Sequence, residues 1–213
     1  MLKEDGIGSM TRLNGMKLSF LLVLLSSCAF ISYNELPSLL SDAVFGSEKI
    51  NIDKDFYDKA DFSFINIRLN NKSSAVLTLF DIENNNFKWI SSDGEILITR
   101  NGKMHQTIGL QNDFEILNNE FTTKNNLAFK HYIKLTNPAG LFAVQNRIIF
   151  TGKIEIEYLD KATIVDVYEE TSYIELLNRK VVNIYYVNGG KVIKSIQDVQ
   201  PSLGKIIIEY YYK

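Results

Sequence analysis

The sequence contains a single cysteine, Cys28, among its 213 residues. One cysteine excludes an internal disulfide, and the two histidines, His105 and His131, are too few to hold zinc without help from carboxylates. We therefore interpret both histidines as ordinary strand residues and predict no metal and no other cofactor. Basic residues are scattered rather than grouped in runs, and the formal net charge is -2. This pattern predicts no surface for nucleic acid or another polyanion.

The N-terminal region lacks an apolar run of the ~20 residues that a membrane-spanning helix requires. Its apolar segment, Leu18–Leu25, follows the basic residues Arg12 and Lys17 and precedes two serines. A short apolar segment between basic and small residues is typical of a secretory signal peptide. We therefore predict that the chain is exported.

The order Leu25-Ser26-Ser27-Cys28 resembles the bacterial lipobox, in which the chain is cut before a cysteine that already carries a diacylglyceryl group. This resemblance implies that Cys28 attaches the mature protein to a membrane through its acyl chains, including palmitate. Ala29, where an aspartate would favour retention in the inner membrane, favours the outer membrane and a protein that faces the periplasm. Two alternatives are an ordinary cleaved signal peptide and a short buried helix with a core cysteine.

The chain divides into three predicted parts. Residues 1–27 form the signal peptide, with a true start at Met1, Met10 or Met16, and residues 28–58 form the lipidated N-terminus and a tether with one or two helical turns. Residues 59–213 form one all-β domain, because Ile, Val, Tyr and Phe recur in short runs between turn residues. The predicted strands are 63–69, 75–82, 87–90, 95–100, 103–108, 127–135, 141–151, 153–158, 163–172, 181–187, 191–196 and 205–212.

About ten to twelve short strands without a long amphipathic helix predict a sandwich or a barrel. The hairpin-rich spacing favours an antiparallel barrel-like domain, because closure removes exposed strand edges. Asn101-Gly102 between two strands is a strong hairpin signal, and Thr151-Gly152 is interpreted as a turn. The continuous apolar run 75–82 predicts a strand buried on both faces. A membrane-spanning barrel is disfavoured, because many strands are short or carry charge on both faces.

Two segments resemble signatures of the YjbF/GfcB family of bacterial lipoproteins. The first is "WISSDGEILITRNGKMHQTIGL", residues 89–110, and the second is "NIYYVNGGKVIKSIQDVQP", residues 183–201. The resemblance implies a barrel-like fold and a role in making or exporting exopolysaccharide or group 4 capsule at the periplasmic face of the outer membrane. It implies an accessory or assembly component, with polysaccharide or other capsule proteins as partners.

The sequence shows no catalytic motif, so no catalytic residue is predicted and the chain is interpreted as a non-enzyme. Two other functions stay open: a periplasmic polysaccharide-modifying hydrolase, which needs two positioned carboxylates, and a small-ligand-binding barrel, which needs a hollow interior. Aromatic rings stack on the faces of sugars, and polar side chains bind sugar hydroxyls and carboxylates. The candidate family-motif and carbohydrate-contact residues are Trp89, Arg100, Asn101, Tyr185, Tyr186 and Gln197.

Overall fold

The structure is a computed structural model that describes residues 52–69, 73–117 and 127–213. These residues form one short helix, α1 (Lys54–Lys59), a 3-10 turn at Glu175–Leu177, and twelve strands. No helix in these ranges is long and apolar enough to cross a bilayer. The strands are β1 (Phe64–Leu69), β2 (Ser73–Glu83), β3 (Asn86–Ile90), β4 (Ile96–Arg100), β5 (Lys103–Ile108), β6 (Phe114–Leu117), β7 (Leu127–Thr136), β8 (Ala139–Tyr158), β9 (Lys161–Ile174), β10 (Arg179–Asn188), β11 (Lys191–Gln197) and β12 (Ile206–Tyr211).

The strands close into an antiparallel barrel. Each strand from β2 to β11 pairs with the next one along the chain, and β1 pairs with both β2 and β12. The two ends of the sheet are therefore hydrogen-bonded to each other, which removes the edges that an open sheet would expose. The predicted all-β, barrel-like fold of about ten to twelve strands is confirmed.

Strand β8 shows how the sequence specifies the two faces of the barrel wall. Phe142, Val144, Asn146 and Ile148 are buried, and the residues between them are exposed. Side chains alternate across a strand, so every second residue lines the interior and the others meet solvent. The interior holds one apolar cluster, whose members include Ile65, Leu77, Trp89, Phe114, Ile133, Ile148, Tyr185, Ile208 and Tyr210.

The prediction that residues 75–82 are buried on both faces is wrong. Phe80 is 67% exposed and Ile82 is 54% exposed. The outer side of β2 faces solvent, and the register of β2 against β3 shifts between Leu79 and Asp81. The apolar run therefore reflects a bulged barrel strand with outward apolar residues.

The prediction of a turn at Thr151-Gly152 is also wrong. The two residues lie inside β8, where the register against β9 shifts between Phe150 and Gly152. The extra residue of a β-bulge is accommodated without ending the strand, so the predicted strands 141–151 and 153–158 are one. Strand β6 was not predicted, because four residues are too few to show a clear alternation.

The hairpin of β8 and β9 reaches β12, although β10 and β11 separate β9 from β12 in the sheet. The Tyr158 hydroxyl donates a 2.6 Å hydrogen bond to the carbonyl oxygen of Tyr210. The ring of Tyr158 also stacks on that of Tyr211, with 5.7 Å between ring centres. The end of the hairpin is thereby fixed to the C-terminal strand.

Helix α1 packs beside the same strand. Asp53 caps the helix by accepting a 2.8 Å hydrogen bond from the Phe56 amide, and the Tyr57 hydroxyl donates a 2.7 Å bond to the Tyr212 carbonyl. The segment predicted as a tether, 28–58, thus includes most of a helix docked on the barrel. Cys28, the signal peptide and the rest of the tether as far as residue 51 lie outside the described residues.

Candidate functional site

The six candidate carbohydrate-contact residues fall into two groups. The fully buried side chains are those of Trp89, Tyr185 and Gln197. The half-buried or exposed ones are those of Arg100, Asn101 and Tyr186. Direct contact with sugar stays a prediction for all six, and only the second group reaches solvent in this conformation.

The turn between β4 and β5 enters the barrel, and we call residues 100–104 the inserted turn. Its Asn101 and Gly102 have φ values of 50° and 76°, as the predicted Asn-Gly hairpin requires. The buried Gly102 carbonyl accepts hydrogen bonds from Gln197 Nε2 at 2.9 Å and from the Tyr210 hydroxyl at 2.8 Å. The Met104 amide donates to Gln197 Oε1 at 2.9 Å. Because β5 and β11 are opposite each other in the closed order, the inserted turn joins two facing walls.

Gly102 is required where the inserted turn meets β11. A Cβ atom at this position would lie 2.3 Å from the Cβ of Val192. Glycine also adopts the positive φ of this residue without steric strain. Both the backbone conformation and the space at this point therefore demand glycine.

The two polar residues before Gly102 bind the neighbouring turn between β2 and β3. Arg100 Nε donates to Asn86 Oδ1 at 2.8 Å, and Asn85 Nδ2 donates to Asn101 Oδ1 at 2.9 Å. These contacts hold the base of the inserted turn. Any sugar contact by Arg100 or Asn101 would occur beside them.

The tryptophan of the first signature packs behind the inserted turn. Trp89 Nε1 donates to Thr99 Oγ1 at 2.8 Å, so its polar edge is satisfied inside the barrel. Its ring packs against that of Tyr210 edge-on at 6.1 Å between ring centres, and the ring of Phe87 stacks on it at 6.0 Å. Trp89 thus connects β3 to β4, the strand that leads into the inserted turn.

The inserted turn contributes one partner of a buried ion pair. Lys103 Nζ donates to Glu170 Oε1 at 2.5 Å, with the two side chains 4% and 0% exposed. Asn183 Nδ2 and the Tyr185 hydroxyl donate to Glu170 Oε2 at 3.1 and 2.8 Å. Every carboxylate oxygen therefore has a partner, as a buried charge requires. We call Lys103, Glu170, Asn183 and Tyr185 the interior polar cluster.

The charges of this cluster set its protonation. Burial alone raises the pKa of Glu170, but the charge of Lys103 and the three hydrogen bonds outweigh it and hold the pKa below its usual value. Burial, and then the charge of Glu170, raise the pKa of Tyr185 well above its usual value. Glu170 is therefore ionised and Tyr185 is a hydrogen-bond donor at neutral pH.

A second polar chain reaches His131. Ser172 Oγ donates to Asn146 Oδ1 at 2.5 Å, and Asn146 Nδ2 lies 2.7 Å from His131 Nδ1. An amide NH₂ can only donate, so Nδ1 of His131 accepts and the ring is neutral. Burial, and then the charge of Lys103, lower the pKa of His131 to about 3.

These histidines predict a loss of stability in mild acid. Burial also lowers the pKa of His105 to about 4, whereas both rings titrate near 6.5 in the unfolded chain. As the pH is lowered from 7 to 5, the unfolded chain therefore takes up protons that the folded chain does not. The free energy of unfolding decreases over this range. Urea unfolding followed by Trp89 fluorescence measures this slope.

The variant His131→Gln provides the control for this pH dependence. It removes one proton-binding difference, so its slope between pH 7 and 5 is expected to be shallower by up to about 1.4 kcal/mol per pH unit. Carboxylates contribute little in this window, because they titrate at lower pH. An unchanged slope in His131→Gln would show that His131 is not held neutral.

A cavity between Ile67, Leu97, Met104 and Ile206 has a volume of about 40 Å³. Ligand pockets enclose roughly 300–1,000 Å³, so this cavity is too small for a ligand of ordinary size.

Two acidic residues near the first signature have local structural contacts. Glu95 accepts a hydrogen bond from the Ser91 hydroxyl, and Asp113 accepts 3.1 Å bonds from the amides of Gly109 and Leu110. Both carboxylates stabilise turns. Among the described residues, no group of three or more His, Cys, Asp or Glu side chains is placed to hold a metal ion.

Sequence reasoning missed Lys103, Glu170, His131 and Tyr210 as members of the interior network. Asn183 and Tyr185 belong to the second signature, and Gly102 and Lys103 belong to the first, so the sequence indicated the segments but not the contacts between them. Two of the contacts, Lys103 with Glu170 and Gly102 with Tyr210, join residues 67 and 108 positions apart in the chain. No local pattern indicates such pairs.

Comparisons with known proteins agree with this architecture. A family model described as "Group 4 capsule polysaccharide lipoprotein gfcB, YjbF" matches residues 38–210. The crystal structure of the hypothetical lipoprotein YmcC from Escherichia coli (K12) is similar, with a TM-score of 0.67 and 18% sequence identity over 84% of this chain and 94% of that chain. At this identity the likeness shows the fold. No curated protein matches.

Proposed function

The chain belongs to the YjbF family of group 4 capsule polysaccharide lipoproteins, and from this membership we propose that it is an accessory or assembly component in capsule or exopolysaccharide production. In this proposal it is anchored in the outer membrane through Cys28 and faces the periplasm. The observation that carries the proposal is the family match over residues 38–210, which includes both signatures and nearly the whole barrel.

The predicted lipobox supports the anchor. If Cys28 is the first residue of the mature chain, residues 29–53 connect it to α1. A chain of this length spans at most about 80–90 Å when fully extended. The barrel would then act within that distance of the membrane.

A non-catalytic role agrees with the interior. Its buried carboxylate, Glu170, is neutralised by Lys103 and shielded from solvent. A general acid or base must contact its substrate, and this pair is enclosed by the barrel wall. We therefore propose that the protein acts by binding or positioning other components.

The variant Cys28→Ser is expected to lose the anchor completely. Only a thiol accepts the diacylglyceryl group as a thioether, so labelled palmitate should not be incorporated and the protein should no longer fractionate with the outer membrane. The matched control is Ser27→Ala, which keeps a small residue before Cys28 and should be labelled and localised normally. Label on the Cys28→Ser protein would contradict lipid attachment at this residue.

The process is tested by deleting the gene and measuring surface polysaccharide. The expected result is a reduced amount, restored by the intact gene and not by the Cys28→Ser form. An unchanged amount in the deletion strain would overturn the proposed function.

A further inference from the structure

The outer surface of strands β7 to β10 gathers cations that are scattered in the sequence. On β7, Lys130 and Lys134 are exposed, and the residues on either side of them point inward. Arg147 on β8 and Lys180 on β10 occupy outward positions by the same alternation. We call Lys130, Lys134, Arg147 and Lys180, together with Tyr132 and Tyr173, the basic face.

The strand register fixes the spacing on the basic face. Lys130 pairs with Gln145, Gln145 with Tyr173, and Tyr173 with Lys180. Lys130 and Lys180 are therefore three strand spacings apart, about 14 Å. Lys134 lies four residues from Lys130, about 13 Å along β7, and Arg147 lies diagonally across from Lys130 at about 7–8 Å. The cations thus form an extended, open array.

Two tyrosine rings are interleaved with these cations. Tyr132 lies between Lys130 and Lys134 on β7 and is 46% exposed. Tyr173 lies directly opposite Lys180 and is 36% exposed. An exposed ring next to an ammonium group offers an apolar face for a sugar ring and a charge for an acid on that sugar.

The three lysines of the basic face differ from Lys88 and Lys153 in their partners. Lys88 binds Asp81 and Glu83, and Lys153 binds Asp166. Within the described ranges, Lys130, Lys134 and Lys180 form no salt bridge. Carboxylates near the face include Glu115, which is opposite Lys134 in register, Glu169 on β9, and the exposed Glu175 in the turn that follows β9. The four cations outnumber these three carboxylates, on a protein whose net charge is -2.

We propose that the basic face binds a carboxylate-bearing polysaccharide, an inference that rests on the proposed function and names the class of its partner. The array suits a polymer whose negative charges are separated by sugar rings. Duplex nucleic acid presents one charge per ~1.7 Å of its axis, a far denser pattern than these four cations. The tyrosines add contacts that a simple polyanion lacks.

The test measures binding of defined polymers by calorimetry with the full lipidated protein in detergent. Polygalacturonate is the carboxylate-bearing polysaccharide, dextran is the neutral one, and poly-L-glutamate carries carboxylates without sugar rings. We expect polygalacturonate to bind, more weakly as salt increases, and to bind more tightly than the other two. Absence of polygalacturonate binding, or equal binding of dextran, would overturn the inference. Equal binding of poly-L-glutamate would overturn the assignment to a polysaccharide.

A pair of double variants locates the site. Lys130→Gln with Lys180→Gln is expected to weaken polygalacturonate binding by about fivefold, since each exposed charge contributes modestly. The control, Lys88→Gln with Lys153→Gln, removes the same charge from positions outside the basic face and should change binding less than twofold. Equal weakening in both double variants would show a net-charge effect and overturn the site.

Failure of this inference is distinguishable from failure of the proposed function. The Lys130→Gln, Lys180→Gln form is expected to restore surface polysaccharide only in part when it replaces the intact gene. Full restoration by this form, in a strain where deletion reduces polysaccharide, would overturn the inference and leave the proposed function standing.

Discussion

Replacing Glu170 by Gln is expected to lower the free energy of unfolding by about 3–5 kcal/mol, because it leaves the ammonium group of Lys103 buried without a counter-charge. Lys103 is 4% exposed and Glu170 is 0% exposed, so water cannot replace the lost partner. Glutamine keeps the size of the side chain and one oxygen that accepts from Asn183 and Tyr185. The loss of stability in Glu170→Gln therefore measures the effect of removing the carboxylate charge more than an effect on packing.

A double-mutant cycle measures the interaction energy between Lys103 and Glu170 apart from their contacts with other residues. The variant Lys103→Met is expected to destabilise the protein to a similar extent, because Glu170 then remains charged or must be protonated. The double variant Lys103→Met with Glu170→Gln removes both charges and should be more stable than either single variant. Urea unfolding at pH 7, followed by Trp89 fluorescence, measures all four proteins. Additive losses in the double variant would contradict a direct pair.

Glu170 also predicts behaviour in strong acid. Its folded pKa lies below the unfolded value, so the stability that the pair supplies is complete above the unfolded pKa and is lost as pH falls through the folded one. The loss of stability from Glu170 adds to the loss from the two histidines only below about pH 4.5. The Glu170→Gln protein should lack this part of the acid dependence.

Replacing Gly102 by Ala is expected to cost about 2–5 kcal/mol of stability. The new Cβ would meet Val192 at 2.3 Å, which forces the inserted turn away from β11, and alanine is strained at a φ of 76°. Displacement of the turn also weakens the two hydrogen bonds that Gln197 and Tyr210 donate to the Gly102 carbonyl. Thermal and urea unfolding measure the loss.

Gly190 provides a matched control for this substitution. Its φ is 81°, close to that of Gly102, but a Cβ there has no heavy atom within 4 Å. Gly190→Ala therefore pays only the conformational strain, about 1–2 kcal/mol. A loss in Gly102→Ala no larger than that in Gly190→Ala would show that the inserted turn is not packed against Val192.

Hydrophobic alternation and turn residues are enough to predict the barrel. On β7, and on β8 from Leu141 to Ile148, inward and outward residues alternate, so these strands are predictable from the sequence. The sequence predicts a turn at Thr151-Gly152, where the structure has a β-bulge. A glycine after a polar residue is common in turns and also occurs in bulges, so the local sequence does not distinguish them. The difference depends on how β8 pairs with β9, and this pairing cannot be inferred from the residues around Gly152 alone.

The candidate site was predictable only as a set of segments. The signatures pointed to Trp89, Tyr185 and Gln197, but they did not show that Gln197 binds the backbone of the inserted turn. Gly102 and Gln197 are 95 residues apart, and nothing in either segment indicates the other. The basic face was missed for a related reason: its cations come from three strands and meet only when the strands pair.

The inserted turn joins the two signature segments across the barrel interior. Hydrogen exchange of the Met104 amide tests it directly, because this amide is bonded to the side chain of Gln197 on the opposite wall. The predicted result is exchange as slow as that of the most protected amides of β11 and β12, requiring global unfolding. Fast exchange of the Met104 amide, while the amides of β11 and β12 stay protected, would show that the inserted turn is not bound to Gln197.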